Sequence, residues 1–355
     1  MARKLVHVTT NLGIGGAETQ LLTLIQALGT TDYEHTVIAF YNGAQKKRLE
    51  SLGVTVHIIR GYFFQYDPIL LFTLIKYIRT IRPTAVHIQL WAAGIFGTVA
   101  ARLAGHTKII YVVHQQHIDS FIRSKVENIS FWGAHTIVAV SDSVAHNVKQ
   151  RLPRRWLKKL VIIPNGIFFK ESTKKFTQKN LLLGVVGRLV PIKNHALLLR
   201  AFARLCFQHR KGTFEGNLVI IGDGPEKTAL MALAQQRAIE SRIIWAGEVN
   251  AHDWYPMLDG YVSSSYSEGM SIALLEALSY GIPVITTSRE KTHDIIRNGI
   301  DGWVIPVADE HALYNALVDW VDNPDICAQY GQSGKNRALN FSAEIMGARY
   351  ERIFT

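Results

Sequence analysis

The sequence predicts an α/β chain of two doubly wound parallel-sheet domains facing a cleft, and three observations carry that expectation. Its 355 residues amount to about two domains at roughly 100–200 residues each. Short β-rich apolar runs alternate with longer amphipathic segments, the pattern of βαβ units building a parallel sheet. That pattern stops at Pro164-Asn165-Gly166, where proline and Asn-Gly break regular structure, and resumes after the polar run Lys170 to Asn180.

In the first half, strands are expected at Lys4–Val8, His35–Phe40, Thr55–Ile59, Ala85–Gln89, Lys108–Val113 and Thr136–Val140. Helices are expected at Ala17–Leu28, Gln45–Leu52, Ile69–Ile81 and Gly94–Ala104. The second half restarts with strands at Leu181–Val186, Asn217–Ile221, Ile243–Ala246, Gly260–Ser263, Pro283–Thr286 and Gly302–Val304. Ligands of parallel α/β sheets bind outside the carboxyl ends of the strands, so two such domains would enclose one site made by loops from both.

Composition narrows the function classes. Apolar residues make up 48% and charged residues 19%, which fits a chain with a sizeable core and excludes a disordered one. Cys206 and Cys327 are the two cysteines. They allow at most one bridge, so no disulfide framework and no zinc knuckle is expected, and a reducing cytoplasm suits them. Met1 to Glu18 is too short and polar for a secretory signal, and no stretch reaches the roughly 18 apolar residues of a membrane span. A soluble or surface-attached protein is expected. Net charge is +11, and residues 1–168 carry 19 Lys+Arg against 8 Asp+Glu while the rest carries 20 against 20. An excess confined to one half suggests an anionic partner there, an acidic lipid surface or a phosphorylated substrate before a nucleic acid.

Four segments carry candidate chemistry. In Ser267-Glu268-Gly269-Met270-Ser271-Ile272 through Pro283, the apolar run Ile272–Leu278 reads as a buried helix with Ser271 as N-cap and Gly281 as its stop. Glu268 then lies in the loop before the helix and Glu276 inside it, where a buried carboxylate needs polar partners. Backbone amides of Gly269, Met270 and Ser271 would make an anion site at the helix start. Taken alone, the pair could equally be an exposed cap and a salt-bridged helix residue. Gly187-Arg188-Leu189-Val190-Pro191-Ile192-Lys193 follows a strand, which places Arg188 and Lys193 where a planar fork and a mobile ammonium could neutralise a diphosphate without metal. A solvated basic loop is the plainer alternative. Ile220-Ile221-Gly222-Asp223-Gly224-Pro225-Glu226 reads as a simple strand-to-helix turn. Asn11 to Glu18 joins the first strand to the first helix, and its glycines would let the backbone approach a phosphate or sugar. Glu18 stands where a dinucleotide fingerprint needs its third glycine, so a dinucleotide oxidoreductase is disfavoured. Neither a Walker loop nor Asp-x-Asp is present, which removes common ways of holding a diphosphate through a divalent metal.

Together these residues resemble the family 4 (group 1) retaining glycosyltransferases of the GT-B fold, two Rossmann-like domains that move a sugar from a nucleotide-sugar donor to an acceptor. The resemblance runs from Gly13 to about Ala308. Its most specific part is Glu268-x7-Glu276, with Gly281 and Pro283; Gly187-Arg188-x4-Lys193 comes next, and Gly15-Gly16-Ala17-Glu18 and Pro164-Asn165-Gly166 support it. The resemblance implies an acceptor-side domain over 1–165, a nucleotide-sugar domain over 166–335 and a C-terminal helix over 336–355 that could pack back on the first. It implies that Arg188 and Lys193 hold the diphosphate and stabilise the leaving charge. Glu276 would bind the ribose, and Glu268 with Gly269, Met270 and Ser271 the donor sugar. Gly15 and Gly16 would lie against the phosphates and acceptor, and the base near Trp245 to Val249, Gly247 included. His114 resembles a family histidine facing the donor sugar, with His117 as a rival. No metal or other cofactor is implied. Two segments depart from the family: Glu290-Lys291-Thr292-His293-Asp294 replaces a glycine pair before an acidic residue, and Ser263-Ser264-Ser265 replaces a proline.

The expectation is therefore transfer from a nucleotide-sugar, leaning to a UDP-sugar over GDP-mannose, to a glycan or lipid-linked acceptor in envelope polysaccharide or oligosaccharide synthesis, with no nucleic acid involved. Alternatives are an epimerase or hydrolase of nucleotide-sugars on the same fold, or a non-enzymatic basic binding protein. Gly61 to Pro68, the helix Ile69 to Arg82 with Lys76, Arg79 and Arg82, and the bases Arg151, Arg154, Arg155, Lys158 and Lys159 near Trp156 would suit an anionic bilayer. A core helix with solvated bases is the alternative.

Overall fold

A computed structural model of the chain describes residues 2–59, 68–105, 107–114, 121–170, 180–209, 212, 214–289 and 294–355. The aromatic run from Gly61 to Asp67, His117 and the departing residues Glu290 to His293 lie outside them. The chain divides into two units, Met1–Phe168 joined by Phe341–Thr355, and Phe169–Asn340.

In the first unit β1 (Arg3–Asn11), β2 (Tyr33–Tyr41), β3 (Thr55–Ile58), β4 (Ala85–Gln89), β5 (Lys108–Val113), β6 (Thr136–Ala139) and β7 (Leu160–Ile162) form one sheet in the order β3-β2-β1-β4-β5-β6-β7. Every neighbouring pair is parallel. The strands read as largely apolar runs, crossed by buried His7, His35 and His87, because helices cover both faces of such a sheet: α1 (Gly16–Leu28), α2 (Gln45–Ser51), α3 (Pro68–Ile81), α4 (Trp91–Ala104), α5 (Phe121–Gly133) and α6 (Asp142–Arg151). Strand order reverses between β1 and β4, and ligands of doubly wound sheets bind at such a switch point.

The second unit repeats the scheme. β8 (Leu181–Val186), β9 (Gly216–Ile221), β10 (Ile243–Gly247), β11 (Gly260–Ser263), β12 (Val284–Ser288) and β13 (Trp303–Pro306) run parallel in the order β10-β9-β8-β11-β12-β13. The switch lies between β8 and β11. Covering helices are α7 (His195–Gln208), α8 (Lys227–Gln236), α9 (Ile272–Ser279), α10 (Glu310–Asp322) and α11 (Pro324–Ala338). Trp320 is fully buried and donates from its indole to the Asp259 carbonyl at 3.1 Å. A Cβ on Gly260 would lie 2.6 Å from that indole, so only glycine opens β11. Cys206 and Cys327 are free and buried, and burial pushes their thiols up to about 11 and about 12.

The last helix, α12 (Ala343–Phe354), belongs to the first unit. Ile167 bridges Ser342: its amide donates to the Phe341 carbonyl at 3.0 Å, and the Ala343 amide donates back to it at 2.9 Å. A Cβ on Gly166 would stand 2.9 Å from Ala343 Cα, so glycine here permits the close approach. The Gln20 amide clamps the same residue, donating to the Gly166 carbonyl at 2.7 Å and accepting from its N–H at 2.9 Å. This pairing is why the units part after Phe168 and Asn340 rather than at the 165 and 335 read from the sequence.

Candidate active site

In the second unit the residues singled out by sequence sit at the carboxyl ends of β8 and β11. After β8 the chain passes through Gly187-Arg188-Leu189-Val190 and a 3-10 turn at Pro191–Lys193 into α7. Asn194 closes that turn in the left-handed region at φ 49. The Ser264 hydroxyl, just past β11, lies 3.1 and 3.0 Å from the Lys193 and Asn194 carbonyls and donates to them. The segment after β9 does more than the simple turn the sequence suggests. A Cβ on Gly222 would fall 2.1 Å from the Gly187 oxygen, and one on Gly224 2.5 Å from the Leu189 oxygen. The Leu189 amide donates to the Asp223 carbonyl at 2.9 Å, so this turn backs the loop that carries Arg188.

Lys193 Nζ donates to Glu268 Oε1 at 2.9 Å, and the Ser265 and Ser263 hydroxyls donate to the same oxygen at 2.5 and 3.2 Å. Burial pushes the Glu268 carboxyl up, but the Lys193 charge and hydrogen bonds from Ser265, Lys193 and Ser271 outweigh it and hold Glu268 at about 2. The serine run that departs from the family thus has work here: two hydroxyls for Glu268 and one for the loop. Ser271 occupies the N-cap of α9, yet its hydroxyl does not cap the helix; it is among the groups that bear on Glu268 and Tyr261. Gly269 and Met270 form the turn between them.

Arg188 is exposed, and its guanidinium makes no hydrogen bond or ion pair with a described residue. Its backbone is fixed by His195, whose buried ring stands with Nε2 3.2 Å from the Arg188 carbonyl. Burial pushes His195 down to about 4, so the neutral ring donates from Nε2 and leaves Nδ1 without a hydrogen-bond partner among the described residues.

Glu276 lies near the end of α9, which stops at Gly281 in the left-handed region (φ 74) with the Gly281 amide donating to the Leu278 carbonyl at 2.8 Å. Tyr255 Oη donates to Glu276 Oε2 at 2.8 Å, and His252 Nε2 lies 3.5 Å from Oε1. Burial pushes Glu276 up to about 7, against the Tyr255 hydrogen bond and the Lys170 charge. Two glutamates eight positions apart are therefore driven in opposite directions, one by a lysine and hydroxyls, the other by enclosure among aromatic rings. Gly247 ends β10 at φ 73, and its carbonyl accepts the Gly222 amide at 2.7 Å.

The remaining candidates belong to the first unit. Gly15 precedes α1 in extended conformation, where a Cβ would meet Glu18 Oε2 at 2.5 Å, and Gly16 is the first residue of α1. His114 follows β5 and stands with Nε2 3.2 Å from Gln89 Oε1; the Gln89 amide donates to Thr9 Oγ1 at 3.3 Å. Burial pushes His114 down to about 4, leaving a neutral ring beside the carboxyl end of β4. Among the described residues no group of three or more His, Cys, Asp or Glu side chains is placed to hold a metal ion. Sequence reasoning missed Tyr255, His252 and His195, because no spacing or periodicity marks them, and it read Ser263-Ser264-Ser265 only as a departure from the family.

Two parallel sheets wound on both faces, each reversing strand order beside its first strand, define the GT-B architecture. The family model for "Glycosyl transferases group 1" matches residues 167–337 and that for "Glycosyltransferase Family 4" matches residues 14–169. The chain belongs to the family 4 (group 1) glycosyltransferases. It is 28% identical over 279 residues, 71% of this chain and 70% of the relative, to the UDP-Gal:alpha-D-GlcNAc-diphosphoundecaprenol alpha-1,3-galactosyltransferase of Escherichia coli. It is 27% identical over 190 residues, 52% of this chain and 50% of the relative, to the N-acetylgalactosamine-N,N'-diacetylbacillosaminyl-diphospho-undecaprenol 4-alpha-N-acetylgalactosaminyltransferase of Campylobacter jejuni. Among solved structures it resembles Anabaena HepE in complex with UDP-glucose, with a TM-score of 0.86, 17% identity and 98% of each chain covered.

Proposed function

We propose that this glycosyltransferase moves a sugar from a UDP-sugar to a lipid-linked glycan acceptor, with retention of configuration and without a metal ion, in cell-envelope polysaccharide or oligosaccharide synthesis. The observation that carries the proposal is the Lys193–Glu268 pair, 2.9 Å apart, with Arg188 exposed on the same loop. One ammonium then lies between an ionised carboxylate suited to sugar hydroxyls and the place a diphosphate would take. As the bond from the sugar's C1 to the phosphate oxygen breaks, its electron pair stays on the diphosphate, where Arg188 and Lys193 stabilise it. The acceptor oxygen bonds to C1 on the same face and gives its proton to the departing phosphate oxygen. Glu276 accepts the ribose hydroxyls. Gly269, Met270 and Ser271 lie by the donor sugar and Gly247 by the base. In the first unit Gly15 and Gly16 serve the phosphates and acceptor, and neutral His114 serves the donor sugar. The names of the two curated relatives support a diphosphoundecaprenol-linked acceptor, and UDP-Gal and UDP-glucose in the names of the relatives support the donor.

Thermal shifts with UDP-, GDP- and ADP-sugars in EDTA test the donor reading. UDP-sugars are expected to stabilise the protein, and Glu276→Ala to abolish the shift. Stabilisation by GDP-sugars alone would move the base assignment, and a shift that needs manganese would overturn the metal-free reading.

The proposal includes a cytoplasmic protein lying on an anionic membrane. Among the described residues no helix is long and apolar enough to cross a membrane. α3 exposes Ile69, Phe72, Lys76 and Arg79 at helical spacing, an outward face apolar at one end and basic at the other. The second basic cluster is partly committed inside the unit: Arg151 pairs with buried Glu127, and Lys159 donates to the Trp132 and Ala134 carbonyls at 3.1 and 2.8 Å. Phe72→Asp combined with Lys76→Glu is expected to weaken binding to anionic vesicles about tenfold or more. Co-sedimentation at two salt concentrations measures it, and equal binding by variant and parent would remove α3 from the membrane reading.

A further inference from the structure

The turn that carries His252 and Tyr255 holds no motif, yet it supplies the groups around Glu276. Tyr255 is fully buried, and its hydroxyl can reach either Glu276 Oε2 at 2.8 Å or the Ala273 carbonyl at 3.2 Å. His252 stands with Nε2 3.5 Å from Glu276 Oε1 and Nδ1 3.2 Å from Tyr280 Oη. Its ring meets Tyr255 edge-on at 5.8 Å and lies tilted to Tyr280 at 6.1 Å, so aromatic packing fixes its plane. With Glu276 ionised the neutral ring has one consistent direction: the Tyr280 hydroxyl gives to Nδ1, and Nε2–H faces the carboxylate across 3.5 Å. Because a phenol oxygen can also accept, a protonated ring is accommodated by turning the Tyr280 hydroxyl round.

We propose that His252 is a positioning residue for the donor site: anchored on Tyr280, it keeps Glu276 ionised and oriented, so that each carboxylate oxygen retains a lone pair for one of two neighbouring ribose hydroxyls. The proposal rests on the donor reading above. Each carboxylate oxygen has about two acceptor sites; Tyr255 takes one on Oε2 and His252 one on Oε1, leaving one apiece for a diol. A protonated Glu276 would lose an acceptor and present a donor in its place. Burial pushes its carboxyl up to about 7, so donor affinity should climb as pH rises through that range and level off above it. The groups that bear on this ionisation are Tyr255 and His252 from the turn before β11, Tyr261 from β11, Tyr280 past the end of α9, and Lys170; Asp253 acts on Tyr280 and Glu268 on Tyr261. A donor N–H facing the carboxylate favours its charged form, so removing His252 should move the climb to higher pH.

Calorimetric titration with UDP, GDP and ADP, which share the ribose, from pH 6 to 8.5 tests this on the parent protein and on His252→Leu, His252→Ala, His252→Gln and Glu276→Ala. At pH 7 the leucine and alanine variants are expected to bind about five- to tenfold more weakly, with the climb displaced to higher pH. KM for the donor should rise in proportion while kcat at saturation holds. Glutamine, whose amide N–H reaches where Nε2 stood, should recover most of the affinity. With 26% of its side chain exposed, His252 should tolerate truncation, and unchanged melting temperatures confirm it. Parental affinity and an unmoved pH profile in the leucine and alanine variants, while Glu276→Ala loses binding, would overturn the His252 role and leave the donor reading standing. Parental binding by Glu276→Ala, or binding of none of the three nucleotides, would overturn the donor reading itself.

Discussion

Replacing Lys193 with alanine is expected to lower turnover by about two orders of magnitude or more, the scale of removing one preorganised group that meets transition-state charge. It should also destabilise the second unit. Lys193 is the cation that holds Glu268 ionised against its burial; without it, three serine hydroxyls remain for a carboxylate only 20% exposed. Breaking a fully buried pair by removing one partner costs about 3–5 kcal/mol, and residual solvent contact on both side chains brings the expectation here to about 2 kcal/mol. Glu268→Gln separates the two effects. It keeps Lys193 for the diphosphate and gives its ammonium an amide oxygen in place of the carboxylate, so stability should fall less than in Lys193→Ala while sugar binding suffers. The measurements are kcat and KM under saturating donor and a urea titration of each variant. Near-parental kcat in Lys193→Ala would assign the leaving charge to Arg188 alone. A Glu268→Gln variant less stable than Lys193→Ala would mean that the serine hydroxyls, rather than the lysine, hold the loop together.

Much of this arrangement can be read in the sequence, for reasons that also show where reading stops. Strands of a parallel sheet covered on both faces are largely apolar runs, so β2, β4, β5, β8, β9 and β11 stand out at nearly their observed bounds. β7 does not, because Leu160–Ile162 is three half-buried residues directly after the basic 3-10 turn Arg154–Lys159. The seam between the units shifts by a few residues because Ile167 is tied to Phe341 and Ala343, partners more than 170 positions away that no local pattern reveals. In the site, the spacing of Glu268 and Glu276 and the loop from Gly187 to Lys193 are local and therefore visible. Their environments are not. Tyr255 and His252 come from two short 3-10 turns, Ala251–Asp253 and Tyr255–Met257, and meet α9 only through the fold. The opposite drift of the two carboxyls follows from those neighbours, so the sequence shows which residues matter without showing which one is charged. Net charge misleads in a similar way: the basic excess of the first half includes Arg151 and Lys159, which serve Glu127 and the end of α5 rather than a partner.

Acidification to pH 5 is expected to unfold the first unit ahead of the second, because three histidines in the first sheet are held neutral in a line. His35 Nε2 lies 2.9 Å from the Gly29 carbonyl, an acceptor only, so that nitrogen carries the proton and Nδ1 is bare. His7 Nε2, 3.0 Å away, must then donate to it, which leaves His7 Nδ1 to accept from His87 Nδ1 at 3.3 Å. Tyr350 and Phe354 of α12 cover His87 edge-on at 5.6 and 6.2 Å. Burial lowers all three: His7 well below its usual value, with the neighbouring His87 and His35 adding to it, His35 against the pull of the Gly29 carbonyl, and His87 to about 3. The sign follows from proton counts. Below about pH 6.5 the unfolded chain takes up protons that the folded sheet refuses, so stability is full above that pH and falls as pH drops toward the folded values. For His87 alone the loss between pH 6.5 and 5 is about 2 kcal/mol, and His7 and His35 add to it, against a total stability of about 5–15 kcal/mol for a domain. In the second unit His195 acts in the same direction, whereas Glu276, raised to about 7, takes up its proton in the folded state and opposes the loss. Hydrogen exchange, corrected for intrinsic rates, should show protection falling across β1, β2 and β4 between pH 7.5 and 5 while β8 and β9 hold. His87→Leu leaves His7 Nδ1 without its donor and should lower stability by about 1–3 kcal/mol at pH 7.5, yet flatten the acid slope by about 2 kcal/mol over the same interval. A variant as acid-sensitive as the parent would show that the slope arises elsewhere than in this histidine line.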